Sequence, residues 1–455
     1  MKKIKNKNNK AVFGLLVFTL VITLSFTAYA SYESTKEYDG AKISFWSFSL
    51  GPQYQDQLKG LMETFENKTG IKVELTMLSW GGGNKKILSA MAAGNAPDVI
   101  YTTRSRCLPI VDFGQGAVQP LGKLISDSGL KSEIKYDAAL EEYNFYGNQW
   151  AVGVIGNPHP MAINVNMFKE AGINPEYIEK MTNPNKVWTW TDLFYLAEKL
   201  TKDTDGDGEV DQWGFGYPGG SDRASPVLAM YWNTGGKIVD PKGNVGLKNE
   251  STLPLFELLA SLKEQGNLIK QVTTFSGDQA ESAFLDGKFG ISYYFPADRI
   301  TARKDQGAEV PNIQPVYPPK SPTGHRGQFF AWDGLMMSGS TNNQKAAWEL
   351  IQFLATGDAY KEILLKNYSY LTPTATNEDI SELVQKPYMK SRLRTGLESL
   401  KRGWYTRHEP AHTASSEIMR DFNTNIQSVL IGDKTPMEAA LELKKTAEKL
   451  VKGTN

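Results

Sequence analysis

Residues 89–106, SAMAAGNAPDVIYTTRSR, contain a helix end, a turn, a strand and a polar segment. The apolar residues before Gly94 are typical of a helix that Gly94 and Pro97 terminate. Residues 98–101 are typical of a buried strand. Because ligands of open α/β sheets bind beyond the carboxyl ends of the strands, residues 102–106 are predicted to form a ligand-facing loop.

The flanking sequence extends this unit in both directions. Residues 43–48 and 71–78 predict strands, and apolar residues at helical spacing predict a helix that Gly70 terminates and another over 85–93. Strands alternating with helices indicate a parallel sheet covered by helices, which is the α/β fold class. Two further strands are expected at 147–156 and 161–166, joined by a short stiff loop at 157–160.

Later segments carry clear helix-start signals. Thr189 with Asp192 forms a predicted capping box, and Thr435 with Glu438 forms another, with proline at the first helical position. Residues 284–294 predict a helix end, a tight turn and a strand.

Length and the N-terminus indicate an exported protein of two lobes. The chain has 455 residues, which is too long for one compact core. Residues 1–30 read as a signal peptide, with five lysines, an uncharged apolar stretch and the sequence Ala28-Tyr29-Ala30 at the cleavage position, followed by a linker over 31–40. An uncleaved membrane anchor is the alternative, because the apolar stretch is long.

Charge and cysteine content exclude some classes of partner and anchor. Removal of five lysines would leave 45 basic against 50 acidic residues, a net charge of −5, which argues against a nucleic-acid partner. Cys107 is the single cysteine, so no intrachain disulfide forms and no cysteine near the cleavage site can carry a lipid. A soluble periplasmic or extracellular protein is expected.

Seven segments in order resemble one known family. They are AGNAPDV at 93–99, YGNQWAV at 146–152, INVNMFKEAGI at 163–173, WTW at 188–190 with DTDGDGEVDQWGF at 203–215, WNTGG at 232–236, FLDGK at 284–288 and GDKTPMEAA at 432–440. Together they resemble the extracellular solute-binding proteins of sugar ABC importers, family 1, which are similar to maltose-binding protein.

The resemblance implies a two-lobe periplasmic-binding-protein fold of type II, with a hinge and an interlobe ligand cleft. It places the first lobe at 41–155 and 296–341 and the second at 156–295 and 342–455, with crossings near Gly156, Phe295 and Thr341. Its implied function is capture of an oligosaccharide by cleft closure and delivery to the permease subunits of an ABC importer. A monomer without enzymatic activity or a required cofactor is expected.

Aromatic and polar residues near predicted strand ends are the candidate ligand contacts, because rings pack on the C–H faces of sugars and polar groups bind their hydroxyls. Core packing is the alternative for each ring. The candidates are Trp46, Trp80, Thr102, Arg104, Arg106, Trp232, Tyr294, Trp332, Asp333 and Arg407.

The arginines bear on the charge of the sugar. Guanidinium groups bind hydroxyl pairs and carboxylates, so Arg104, Arg106 and Arg407 leave room for an acidic sugar. Solvated or ion-paired surface arginines are the alternative. Thr102 and Ser105 stand where maltose-binding protein has an aromatic residue and an acid, which argues against maltose itself.

A run of acids resembles a calcium-binding loop. Asp203, Asp205 and Asp207 occupy alternate positions, with Glu209 and Asp211 completing the predicted ligands of a structural calcium ion. Gly214 stands where the usual bidentate glutamate would be, so an acidic turn without a metal is the alternative.

Three further function classes are compatible with the sequence. A secreted carbohydrate-active enzyme, either glycoside hydrolase or lyase, would share the aromatic content and export. Its carboxylates could come from distant segments. The four histidines show no metalloprotease spacing, and the sequence lacks a nucleophile elbow and a P-loop. A binding protein for a non-sugar solute is the second class, and an adhesive surface protein, which no sequence repeat supports, is the third.

Overall fold

The computed structural model describes residues 38 and 40–453, apart from positions 52, 115, 221–224, 241 and 407–411. The predicted signal peptide, nearly all of the linker and Arg407 therefore lie outside the described residues. Within the described ranges, no helix combines the length and apolar character needed to cross a membrane.

The strands form two main sheets and one small hairpin. Their bounds are β1 Lys42–Phe48, β2 Lys72–Leu78, β3 Val99–Thr102, β4 Asn144–Phe145, β5 Asn148–Gln149, β6 Val152–His159, β7 Met161–Asn164, β8 Trp213–Gly216, β9 Phe289–Ser292, β10 Ile313–Val316, β11 Gln328–Met337 and β12 Tyr405–Thr406.

Helices cover both sheets. Their bounds are α1 Tyr54–Thr69, α2 Gly83–Ala92, α3 Arg104–Val111, α4 Gly122–Ser128, α5 Leu130–Glu133, α6 Ala138–Glu141, α7 Val165–Glu170, α8 Pro175–Thr182, α9 Trp190–Leu200, α10 Ser225–Asn233, α11 Asn249–Glu264, α12 Gly277–Leu285, α13 Ala297–Asp305, α14 Gln344–Thr356, α15 Asp358–Ile363, α16 Asn377–Leu383, α17 Pro387–Lys401, α18 Ser415–Ile431 and α19 Pro436–Gly453. A π-helical turn, Leu364–Tyr368, continues α15.

The first sheet has the order β12-β11-β3-β1-β2, and β6 pairs with β11 outside this path. The strands β1, β2 and β3 are parallel, so their carboxyl ends lie at one edge. The long strand β11 runs antiparallel to both β3 and β6. The second sheet has the order β10-β7-β9-β8 and mixes parallel and antiparallel pairs. This arrangement is the α/β architecture that the sequence predicts.

Two separate hydrophobic cores define the lobes. The first core holds residues between Ile43 and Ile155, and the second begins at Met161. In β11, Phe330 and Trp332 pack in the first core while Phe329 and Ala331 pack in the second. Successive side chains of a strand point to opposite faces, so the paired strands β6 and β11 connect both cores.

The predicted lobe boundaries need correction beyond residue 295. Ile300 and Ile313 belong to the second core, not the first. Residues from Ala346 to Leu400 belong to the first core, and the chain rejoins the second core at Ala414. The crossings expected near Phe295 and Thr341 are therefore wrong, because long-range strand pairing, which local pattern does not show, decides where a chain leaves a lobe.

The opening segment is partly as predicted. The helix α2 ends before Gly94, whose φ is 71°, and the strand β3 follows. The expected ligand-facing loop is wrong, because Thr103 takes an extended N-cap conformation and α3 begins at Arg104. The loop expected at 157–160 is also wrong over most of its length, because β6 continues to His159 and pairs with β11.

The predicted helix caps are confirmed. Thr189 accepts a hydrogen bond from the Asp192 amide and Asp192 accepts one from the Thr189 amide. Thr435 and Glu438 make the same reciprocal pair at the start of α19. Gly70 terminates α1 in the left-handed conformation, as expected. Each N-cap of the kind formed by Thr189 and Thr435 contributes about 1 kcal/mol to the stability of the folded protein.

Candidate ligand-binding site

Aromatic rings cluster at the carboxyl edge of the first sheet. Phe48 ends β1, Trp80 follows β2 and Tyr101 lies in β3. The Phe48 and Trp80 rings stack with centroids 4.8 Å apart, and the Tyr101 ring stands edge-on to Trp80 at 6.2 Å. These three rings, the aromatic cluster, form because parallel strands bring their last residues to one edge.

Trp80 is the exposed member of the aromatic cluster. Its side chain is 41% exposed, while Phe48 and Tyr101 are buried. The indole Nε1 donates a hydrogen bond of 2.6 Å to the Ser49 carbonyl. Gly83 lets α2 approach, since a Cβ there would lie 2.4 Å from Phe48 Cε1. The Trp80 ring is therefore a fixed apolar surface open to a ligand.

A buried carboxylate lies beside these rings. Asp333 is 8% exposed and its Oδ2 accepts a hydrogen bond of 2.6 Å from the Tyr101 hydroxyl. Burial raises the pKa of Asp333 to about 6, although the Tyr101 hydrogen bond and the Arg106 charge act in the opposite direction. Trp332 and Asp333 are expected near a strand end, but both lie inside β11.

The two arginines of α3 have different surroundings. The Arg106 guanidinium lies 4.7 Å from the Trp80 ring centroid and donates a hydrogen bond of 3.0 Å to the Trp80 carbonyl. Arg104 is buried, donates to the Glu142 carbonyl and lies 6.0 Å from the Phe145 ring. Helix residues two positions apart point in different directions, so only Arg106 joins the cluster.

Further tyrosines pack behind Asp333 and carry no sequence signal. The Tyr54 and Tyr360 hydroxyls lie 2.8 Å apart, and Tyr368 donates a hydrogen bond of 2.7 Å to Gln57. Tyr368 stacks on Tyr370 at 6.5 Å. Three of them, Tyr54, Tyr360 and Tyr368, come from α1, α15 and the π-helical turn, and Tyr370 follows that turn, so only the tertiary fold places these tyrosines together.

The second lobe faces this region with Tyr294 and His159. Burial, with the nearby Asp298, Tyr294 and Asp333, raises the pKa of Tyr370, while the Arg392 charge lowers it. Tyr294 follows β9 and stands edge-on to His159 at 5.0 Å. His159 Nδ1 lies 3.2 Å from Ser225 Oγ at the start of α10. Tyr370 of the first lobe is thus close enough to both Asp333 and Tyr294 to interact with them electrostatically.

Several predicted contact residues lie outside this cluster. Thr102 is fully buried and its hydroxyl donates to the Thr103 carbonyl. Trp332 is 1% exposed in the first core and stacks on Tyr136 at 6.2 Å. Neither lies in the aromatic cluster, so we do not retain them in the proposed site, and Arg104 is left out because its guanidinium donates to the Glu142 carbonyl.

Trp46 and Trp232 are partly buried. The Lys86 ammonium lies 4.9 Å from the Trp46 ring centroid, which places this ring against α2 rather than in the aromatic cluster. Trp232 packs against the second core from α10, with its ring 6.0 Å from Tyr231. Sequence reasoning missed Phe48, Tyr101 and Tyr370. The strand-end positions of Phe48 and Tyr101 are the signal that could have found the first two.

The acidic loop brings three carboxylates together. Ligand atoms of Asp203, Asp205 and Asp207 lie within 4.8 Å of one another. Hydrogen bonds from the Gly206 and Gly208 amides lower the pKa of Asp203. Asp211 accepts hydrogen bonds from Thr204 instead. Glu209 pairs with Lys270 at 3.2 Å.

Comparisons with known proteins agree with this architecture. The chain is 26% identical over 322 residues to a Brucella abortus protein named only as a binding protein, covering 70% of this chain and 71% of that one. It is 21% identical over 266 residues to an arabinooligosaccharide-binding protein of Bacillus subtilis, covering 57% of this chain and 56% of that one.

A solved structure shows the same fold. The sugar-binding protein MalE of Xanthomonas citri superposes with a TM-score of 0.73 at 15% identity, covering 91% of this chain and 98% of that one. The sequence profile of the bacterial extracellular solute-binding proteins matches residues 60–390, most of the chain. With its two-lobe α/β fold, this chain belongs to the bacterial extracellular solute-binding protein family.

Proposed function

We propose that this protein binds a saccharide between its lobes and delivers it to an ABC importer. The observation that carries the proposal is the exposed Trp80 ring beside the Asp333 carboxylate at the interlobe edge. An aromatic face suits the C–H surface of a sugar, and a buried carboxylate suits its hydroxyls. Sugar-binding relatives with the same fold support the ligand class.

Closure of the two lobes is the proposed working motion. The strand β11 contributes side chains to both cores, and it pairs with β6, whose buried side chains lie in the first core. A ligand held by Trp80 and Asp333 on one side and by Tyr294 on the other gains contacts only when the lobes approach. Binding would therefore shift the population toward a closed form.

Calorimetry of the purified chain against a panel of neutral, acidic and amino oligosaccharides tests the ligand class. We expect at least one saccharide to bind, with binding weakened in Trp80→Ala and unchanged in Tyr195→Ala. Tyr195 is the matched control, because it is an aromatic residue of equal 41% exposure on α9 of the second lobe. A panel in which nothing binds would contradict the proposal.

Binding without turnover separates this function from that of a carbohydrate-active enzyme. Labelled oligosaccharides incubated with the protein are expected to be recovered unchanged. If shorter products are released, and this activity persists after further purification of the protein, the protein is an enzyme.

Export, a free periplasmic or extracellular form and a monomeric state complete the proposal. The extracellular family supports export. Light scattering of the purified chain is expected to give a mass near 50 kDa, since the full chain is 50.5 kDa. Cell fractionation would show whether it is released from the membrane by osmotic shock.

We also propose that the acidic loop holds a structural calcium ion, without a role in ligand chemistry. The convergence of Asp203, Asp205 and Asp207 supports it, since calcium prefers several carboxylate oxygens. Calcium is expected to raise the melting temperature over that in chelator, and Asp205→Asn is expected to reduce the shift. Equal melting temperatures with calcium and with chelator would contradict a bound ion.

A further inference from the structure

Asp333 has an unused acceptor in the candidate site. Among the described residues, Tyr101 is its one hydrogen-bond donor, and that bond engages Oδ2. A carboxylate accepts about four hydrogen bonds. Asp333 is 8% exposed, yet its second oxygen is not among the buried side-chain atoms that lack a partner, so it reaches solvent, where ligand hydroxyls can replace water.

The nearest cation does not neutralise this carboxylate by contact. Arg106 influences Asp333 through its charge, but its guanidinium lies over the Trp80 and Phe48 rings at 4.7 and 4.8 Å. Arg104 points away toward Glu142. The cationic groups that would bind a sugar carboxylate are therefore directed to other partners, while the acceptor remains available.

We propose that Asp333 determines ligand specificity by accepting hydroxyl donors of a neutral saccharide stacked on Trp80, and that it rejects sugars carrying a carboxylate there. The inference rests on the proposed saccharide-binding function and narrows it. A second carboxylate brought next to Asp333 would repel it at low local dielectric, whereas two sugar hydroxyls would complete its hydrogen bonds. This argues against the acidic sugar ligand that the three candidate arginines made compatible with the sequence.

Matched pairs of trisaccharides test the specificity. The neutral probes are galactotriose, mannotriose and maltotriose, and their acidic counterparts are the trigalacturonate, the trimannuronate and the triglucuronate. By calorimetry at pH 7.5 we expect at least one neutral probe to bind and its acidic counterpart to bind at least ten times more weakly. An acidic probe that binds more tightly than its neutral counterpart would overturn the inference while leaving the saccharide-binding function intact.

Asp333→Asn isolates the charge. The variant is expected to bind the neutral probe about ten times more weakly, and its preference for the neutral over the acidic probe is expected to shrink at least fivefold. Asp127→Asn on α4 is the control, because it removes one acidic charge from an exposed position of the same lobe. Unchanged selectivity in Asp333→Asn would overturn the inference.

Tyr101→Phe provides an independent test if Asp333→Asn does not fold. Removal of the hydroxyl leaves the charge of Asp333 but removes the hydrogen bond that orients its carboxylate. The affinity for the neutral probe is therefore expected to fall a few-fold while acidic probes stay rejected. Acceptance of an acidic probe by this variant would contradict the role of the charge.

The pH profile of the unmodified protein adds a readout that a structural role would not produce. The titratable or charged groups that act electrostatically on Asp333 are Tyr54 on α1, Tyr101 on β3, Tyr143, Tyr360 on α15, Tyr370 and Arg106 on α3. The tyrosines stay neutral and the arginine stays charged below pH 8, because burial raises the pKa values of these tyrosines.

Asp333 is therefore the group of this set that changes charge between pH 8 and 5. Protonation removes the charge-assisted hydrogen bond, so the affinity for a neutral probe is expected to fall several-fold on acidification. A rise in affinity on acidification would overturn the inference. Absence of binding by every probe at every pH would instead overturn the saccharide-binding function on which the inference rests.

Discussion

The two lobes share an α/β composition but use their aromatic residues differently. In the first lobe, Phe48, Trp80 and Tyr101 gather at the carboxyl edge of the sheet and Trp80 stays 41% exposed. In the second lobe, the tryptophans Trp188 and Trp190 are buried in the core, and Tyr294 stands edge-on to His159.

The difference indicates that the first lobe is the preformed half of the site. Its groups are fixed by a hydrogen bond from Trp80 to Ser49, by the Tyr101–Asp333 pair and by Arg106 over the rings. Preorganisation lowers the entropy that binding must lose. The ligand is expected to dock on the first lobe, and the second lobe is expected to add contacts on closure.

Among the substitutions that test this difference between the lobes, loss of the Trp80 ring is expected to reduce saccharide affinity the most. Trp80→Ala removes the exposed stacking surface and is expected to weaken saccharide binding by about 2–3 kcal/mol, roughly 30- to 150-fold. Calorimetry with the best probe measures the change. A loss below threefold would mean that the first lobe is not the preformed half.

Asp333 is also expected to make the free energy of unfolding depend on pH. Its pKa of about 6 in the folded protein exceeds the ordinary value, so the folded state binds more protons than the unfolded state between about pH 4 and 6. Stability contributed at this site therefore rises as pH falls through that window and is lost at higher pH.

Urea denaturation at pH 7.5 and 5.0 measures this contribution. Between pH 7.5 and pH 5.0, the free energy of unfolding of the unmodified protein is expected to rise by about 1–2 kcal/mol more than that of Asp333→Asn. Equal pH dependence in both proteins would show that Asp333 titrates normally.

Tyr294 tests the second half of the comparison. Tyr294→Ala removes an aromatic contact that only the closed form uses fully, so affinity is expected to fall by about 1 kcal/mol, roughly fivefold. The loss should appear in the dissociation rate measured by stopped-flow fluorescence. A larger loss than that of Trp80→Ala would reverse the order of the two lobes.

The smallest expected effect separates the two arginines. Arg106→Lys is expected to weaken binding two- to fivefold, because lysine lacks the planar group that stacks on Trp80. Arg104→Lys is expected to leave affinity unchanged and to lower the melting temperature, since Arg104 is buried against Glu142. Equal losses of affinity in both variants would place Arg104 in the site.

Local sequence signals predict the elements of this fold better than their assembly. The helix–turn–strand unit at residues 89–102 and the caps at Thr189 and Thr435 are confirmed, because they depend on residues within a few positions of each other. The lobe assignment of residues 297–316 and 346–400 is wrong, because it depends on the pairing of β11 with β3 and β6.

The candidate site shows the same division. Position after a strand is a local property, and the structure brings the residues chosen by it, Trp80 and Arg106, into contact at the carboxyl edge of the first sheet. Whether a ring or cation faces a cleft depends on which helix turn it occupies and on what packs over it. Trp332 and Arg104 therefore look equivalent to Trp80 and Arg106 in sequence and are buried in the structure.

The sequence by itself determines an exported two-lobe α/β family member, since ordered motifs, hydrophobic periodicity and the charged N-terminus are local patterns along the chain. The tertiary structure alone decides that the buried Asp333 accepts a hydrogen bond from Tyr101 and that Tyr370 interacts electrostatically with both Asp333 and Tyr294. Strand pairing brings Asp333 and Tyr101 together across more than two hundred residues of sequence. The burial that raises the pKa of Asp333 exists only once that pairing has formed.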